Sequence, residues 1–162
     1  MSDEERQIRR ICKRLGIKLG KCKVHDGRRW SYDGKILDIY HRFSGWMGVH
    51  PAADSMHDIA HWVCCPNTRK QLPEFGLGEG VDTKSRYAER QCSVEEAVQE
   101  EQFASMLGIL MERAAGMNWR ECWVRHGWSN TSLSELVEVR RNLKSWLEHT
   151  DTPLEKVLEI CK

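Results

Sequence analysis

The chain has 162 residues, enough for one domain with its own hydrophobic core and too few for two comfortable ones. Apolar residues make up 40% and charged residues 30%, and the formal net charge is +1, which excludes a disordered polyelectrolyte and gives no global field toward nucleic acid or an anionic membrane. No apolar run approaches the roughly 18 residues of a membrane span, and the start Met1-Ser2-Asp3-Glu4-Glu5 lacks the apolar core of a signal peptide, so a cytoplasmic protein without membrane partners is expected.

Ser2 and Glu5 form a capping-box pair that opens a first helix over about residues 3–15, with Ile8, Ile11, Cys12 and Leu15 at helical spacing and Gly16 to end it. Residues 17–24 read as a strand. Arg28–Tyr32 and Lys35–Tyr40 flank Asp33-Gly34, a dipeptide suited to a type I′ turn, which predicts a hairpin with Trp30 opposite Leu37 and Arg29 opposite Asp38. Three short strands then make a small antiparallel β-sheet. A connection over residues 44–51 leads to a helix from about Asp54 to Cys65 that Pro66 stops. Residues 66–92, with Gly76, Gly78 and Gly80, read as a long irregular loop, and loops of that length are usually functional or mobile. Ser93 and Glu96 form a second capping box, opening a long helix to about Ala115 before Gly116. Asn118–His126 reads as a short helix, Ser132 caps another to about His149, and Pro153 opens a last one to about Cys161. The expected architecture is α+β in one domain, residues 1–162: sheet and histidine helix over about 1–65, loop over about 66–92, helical part over about 93–162.

His57-Asp58-Ile59-Ala60-His61 sets two imidazoles one helical turn apart. Seven histidines in 162 positions supply roughly 0.3 such pairs by chance, so the spacing alone describes two ordinary helix-face histidines. Context changes the balance. Met56, Ile59, Ala60 and Val63 form an apolar stripe, and His57, His61 and Cys64 lie on the adjoining face, where both imidazoles can reach one cation. A catalytic metal needs a third protein ligand and an open position. Glu95, Glu96, Glu100 and Glu101 open the long helix, where the dipole favours carboxylates. Glu96 is taken by the cap, and Glu100 continues the stripe Phe103–Leu107–Leu110. Glu101 continues a stripe of small residues, Ala97, Ala104 and Gly108, which permits close approach of another helix. Glu101 is therefore the expected third ligand, with Glu100 the alternative.

These motifs resemble two families. The broader is the gluzincin branch of the zincin metallopeptidases, with HExxH on one helix and a glutamate on the next, often as ExxAD or ExxSD. Glu101-Gln102-Phe103-Ala104-Ser105 is similar to that second element, with Ser105 at the aspartate position, and an upstream hairpin sheet suits that fold. This resemblance spans about half the chain, through short motifs only. The narrower is the bacterial elongation factor P hydroxylase family, whose HExxHW helix, basic pair, leucine and Phe-Gly resemble His57 to Trp62, Arg69-Lys70, Leu72 and Phe75-Gly76. The rest of the chain, including Trp119–Trp128, does not map onto this narrower family. The resemblance implies a zincin-like pair of helices and one divalent metal ion, zinc or iron, acting on a protein or peptide substrate, to which the chain adds the C-terminal helices read above. The reaction is hydroxylase-like or hydrolase-like, the latter as in a zinc metallopeptidase, and a non-catalytic metal-stabilised binding module is the remaining reading. Asp58 stands where HExxH carries the glutamate that serves zinc peptidases as general base. It is shorter by one methylene, about 1.5 Å, against a hydrogen-bond reach of about 3 Å. Asp58 is carried as the catalytic residue, with orientation of an imidazole as its other reading.

Other features weigh less. Cys64 one turn beyond His61 is a possible soft fourth ligand or a small buried residue, and His50 falls in the preceding loop. Seven cysteines, odd in number and without Cys-x-x-Cys, read as free thiols. Trp119, Trp123 and Trp128 with Arg120, Arg125 and His126 could stack nucleobases, but helical spacing favours packing, and nucleic acid is disfavoured as a partner. Gly76-Leu77-Gly78-Glu79-Gly80 lacks the Lys-Ser/Thr of a phosphate loop and reads as flexible backbone, a lid near the site.

Overall fold

Local signals fix the first element. Ser2 Oγ accepts the Glu5 N–H at 3.1 Å, acidic residues fill the first turn and Lys13 and Arg14 the last, and helix α1 runs Asp3–Leu15 up to Gly16. The computed structural model describes residues 1–22, 24–25, 28–39, 51–78, 89–120, 133–149 and 151–162. Within these, four further α-helices follow: α2 Pro51–Cys64, α3 Val94–Ala114, α4 Leu133–Leu147 and α5 Leu154–Ile160, with a short 3₁₀ turn over Pro73–Gly76. None of them is long and apolar enough to cross a membrane.

Helix α2 starts three residues earlier than the sequence predicts, because Pro51, with its fixed φ and missing N–H, is itself the first helical residue. Helix α3 opens on a complete capping box: Ser93 Oγ accepts from Glu96 N–H and Ser93 N–H donates to Glu96 Oε2. The core lies where α2 crosses α3, with Met56, Ile59, Ala60, Leu107 and Met111 fully buried. Helix α1 packs on α2 and α5, and α4 and α5 pack on α3. Side chains of α1 also satisfy the carbonyls that end α5: Gln7 donates to Cys161 O, Arg10 to Lys162 O and Arg14 to Ile160 O, so basic residues meet the negative end of the last helix.

The small antiparallel sheet, and with it the α+β class, is a correction. The described residues are predominantly helical, and extended pairing is confined to a two-residue match of Val24–His25 with Arg28–Arg29 and to isolated bridges at Leu19–Leu37 and Tyr32–Leu37. The turn at Asp33-Gly34 does form, but in a different register. Asp33 Oδ1 accepts the N–H groups of Lys35 and Ile36 and Asp33 N–H donates to Ile36 O, so the turn centres on Gly34-Lys35 rather than Asp33-Gly34, and Leu37 falls opposite Tyr32 instead of Trp30. Gly34 is required there for space, since a Cβ would collide with the Gln71 carbonyl. The Asp38 carboxylate turns inward to accept the Cys22 N–H at 2.9 Å. His50, Gly80, Trp123, Arg125, His126 and Trp128 lie outside the described residues, as does most of the helix expected over Asn118–His126.

The segment after α2 is ordered by side chains. Glu74, Phe75 and Gly76 take successive left-handed conformations, with φ of 46°, 57° and 69°. A left-handed residue costs roughly 1–2 kcal/mol when it carries a Cβ, so the surroundings must hold the turn. Glu74 N–H donates to Tyr32 O at 2.9 Å, Glu74 Oε1 accepts from Ser31 N–H at 2.7 Å, and Tyr32 Oη donates to Lys70 O at 2.6 Å. The Tyr32 and Phe75 rings stack at 4.4 Å.

Candidate metal centre

Two helices supply the site, and a small residue at their crossing lets them meet. A Cβ at Gly108 on α3 would lie 3.4 Å from both Cα and N of His57, so the helix backbones approach as closely as a small residue allows. The stripe of small residues thus acts as expected: Ala97 and Ala104 are buried, and Glu101 is carried toward the α2 histidines.

Three ligand atoms converge. His57 Nε2 and His61 Nε2 are 2.9 Å apart, and Glu101 Oε2 lies 3.2 Å from the first and 3.4 Å from the second. A triangle with these edges has a point about 2.1 Å from all three corners and about 1 Å off its plane, which matches metal–nitrogen and metal–oxygen bond lengths. The donor set also fits. Each imidazole must present an unprotonated Nε2, and each has a group at Nδ1 able to hold the proton there: Ser105 Oγ at 3.4 Å from His57, and Glu100 Oε1 at 3.5 Å from His61. His61 is buried at 5% side-chain exposure, whereas His57 and Glu101 are 18% and 38% exposed, so the cluster opens to solvent on one side.

Electrostatics favour a cation at this point. Burial opposes charge on His61, but Glu100 and Glu101 together outweigh it and push the imidazole up to about 10. Burial likewise opposes charge on Glu101, and His57 and His61 overcome it, holding the carboxyl well below the usual range. A metal bound here displaces the proton that His61 otherwise keeps.

The two adjacent glutamates divide. Glu101 faces the Nε2 atoms, and Glu100, 2% exposed, sits behind His61 and pairs with Arg69 Nη2. Asp58 is buried at 8% exposure and is not among the grouped ligand atoms of the described residues. Cys64 is buried behind the site; burial first, then the charge of Glu100, raises its thiol well above the ordinary value, and it too stays outside the group. A cleft of about 320 Å³ borders Arg69, Glu100, Phe103 and Trp146, and His57, His61 and Glu101 are not among the residues that line it.

Sequence reasoning missed the supports. Arg69 donates to Glu100 and, at 2.8 Å, to Phe75 O; the Phe75 ring stacks 5.6 Å from the His61 ring; and Lys70 lies 4.6 Å over the Trp62 ring. The signal was present in the run of basic pair and Phe-Gly that carries the hydroxylase-family resemblance, but only the fold shows that these residues hold the histidine helix. Comparison with protein-family models, curated proteins and solved structures finds no match for this chain.

Proposed function

We propose that the chain is a metal-dependent enzyme in which His57, His61 and Glu101 hold one divalent cation, zinc or iron, and that it modifies a protein or peptide substrate in the cytoplasm. The observation that carries this reading is the triangle of two Nε2 atoms and one carboxylate oxygen, with edges of 2.9, 3.2 and 3.4 Å, at a position reached by solvent. Three protein ligands leave coordination positions open, as a catalytic site requires and a closed structural site does not. Two histidines and one carboxylate suit iron with dioxygen as well as zinc with an activated water.

The chain's own groups favour the hydroxylase-like reading. A hydrolase needs a base at the open face, and Asp58 is both shorter than the glutamate of HExxH and buried at 8% exposure. His57 and His61 would bind the cation through Nε2, with Ser105 and Glu100 placed to hold the protons on Nδ1, and the Phe75 ring stacks on that of His61. The test is elemental analysis of protein purified without a metal-affinity tag, paired with Glu101→Ala. One equivalent of iron, with dioxygen consumed in the presence of peptide, supports hydroxylation. One equivalent of zinc moves the assignment to a hydrolase, and a wild-type protein that takes up neither metal refutes the site.

A further inference from the structure

Glu100 stands behind His61, not in front of it. Its Oε2 is bonded to Arg69 Nη2, and its Oε1 faces His61 Nδ1 at 3.5 Å. Both facing atoms are buried, and neither makes a hydrogen bond in this structure. Buried polar atoms left without partners cost free energy, and these two lie only a few tenths of an ångström beyond bonding distance. A small rotation of the ring joins them. A cation at Nε2 sets the ring and requires the proton on Nδ1, which makes that nitrogen a donor aimed at a carboxylate.

The far end of this contact is anchored in the left-handed turn. Arg69 Nη1 donates to Phe75 O at 2.8 Å, and the same residue lays its ring 5.6 Å from the His61 ring, nearly parallel to it. Phe75 therefore touches the histidine directly and, through Arg69 and Glu100, touches it again from behind. The left-handed conformation of Glu74 and Phe75 costs free energy, so the turn depends on the contacts that hold it.

We infer that Glu100, anchored by Arg69, is the positioning residue that seats His61 for the metal, and that this relay couples metal occupancy to the order of residues 69–77. The inference rests on the proposed three-ligand site and deepens it. Ser105 stands in the equivalent place for His57 with a neutral hydroxyl.

The test titrates zinc and cobalt(II) against a chromophoric chelator and measures amide hydrogen exchange with and without zinc, using Glu100→Gln and Arg69→Lys. Glu100→Gln is expected to weaken zinc binding by about 10–100-fold, to alter the cobalt absorption bands, and to abolish the slowing of exchange that zinc produces at residues 69–77 in the wild type. Arg69→Lys keeps a cation beside Glu100 and is expected to fall between the two. If Glu100→Gln does not fold with Arg69 left uncompensated, the double variant Glu100→Gln/Arg69→Met removes both charges and is read the same way. Unchanged zinc affinity in the folded variant, or exchange at residues 69–77 indifferent to zinc in the wild type, overturns the inference and leaves the three-ligand site standing. A wild type that binds no metal, or a Glu101→Ala variant that binds as tightly as wild type, overturns the proposed function and this inference with it.

Discussion

Gly108 sets the distance between the two helices that carry the ligands, and substitutions there separate packing from coordination. The Cβ of Gly108→Ala would meet the His57 backbone at 3.4 Å, an ordinary contact, so the helices need not move. Alanine in place of a helical glycine contributes up to about 1 kcal/mol, which for a chain of this size raises Tm by roughly 2–4 °C. Gly108→Val adds two carbons about 1.5 Å beyond that Cβ, directed at backbone that cannot yield, at a cost of roughly 1–3 kcal/mol. Relief comes by parting α2 from α3. If both Glu101 edges lengthen by about 1 Å, no point remains within about 2.1 Å of all three ligand atoms. Zinc affinity should then fall by more than the roughly 10–100-fold expected for a lost supporting hydrogen bond. Circular dichroism melts give the first quantity, and chelator-competition titrations give the second. A Gly108→Val protein that folds and binds zinc as tightly as wild type would refute the argument that close helix approach seats Glu101.

Metal itself should stabilise the fold: zinc at 100 times its Kd is expected to add about 2.7 kcal/mol, a rise in Tm of roughly 5–10 °C, reversed by chelator and absent in Glu101→Ala. In metal-free protein His61 has its folded pKa raised to about 10 from 6.5, so the stability it contributes is complete below pH 6.5 and is lost as pH rises toward 10. Urea midpoints of apo wild type should therefore fall across that window relative to His61→Asn, and a flat difference between the two would contradict the assigned charge. Burial pushes the thiols of Cys12 and Cys65 up to about 12 and that of Cys161 to about 11, so all three should resist iodoacetamide at pH 8 in the native state and react once the chain is denatured, as read by peptide mass mapping.

The ends of α1 and the start of α3 could be read from the chain because capping is local chemistry: Ser2 and Ser93 act within three residues of themselves. The sheet could not. Asp33-Gly34 signals a turn, but which two residues form its tip depends on the N–H groups Asp33 captures, and that choice set Leu37 opposite Tyr32 instead of Trp30. The site divides in the same way. His57 and His61 stand out only when their spacing is read with the apolar stripe beside them, and the small residues at 97, 104 and 108 identify the helix face that approaches them. Neighbours on a helix point about 100° apart, so pattern could rank Glu101 above Glu100 but could not show that they stand on opposite sides of one imidazole. Arg69 comes from an irregular segment with no periodicity to read, and its partner 31 residues away is visible only in the fold.

Position 74 carries a further constraint on how this chain can change. The backbone there asks for glycine, with φ at 46°, while the carboxylate is what ties the turn to the N–H groups of Ser31 and Tyr32. Glycine relaxes the first demand and forfeits the second; most other residues meet neither. Asparagine and aspartate tolerate the left-handed region but fall one methylene short in reach. Few residues satisfy both demands, so substitutions here should be poorly tolerated although Glu74 is not among the grouped ligand atoms of the described residues. Variation in the chain should be tolerated more readily at the exposed Val94 and Val137 than at this half-buried glutamate.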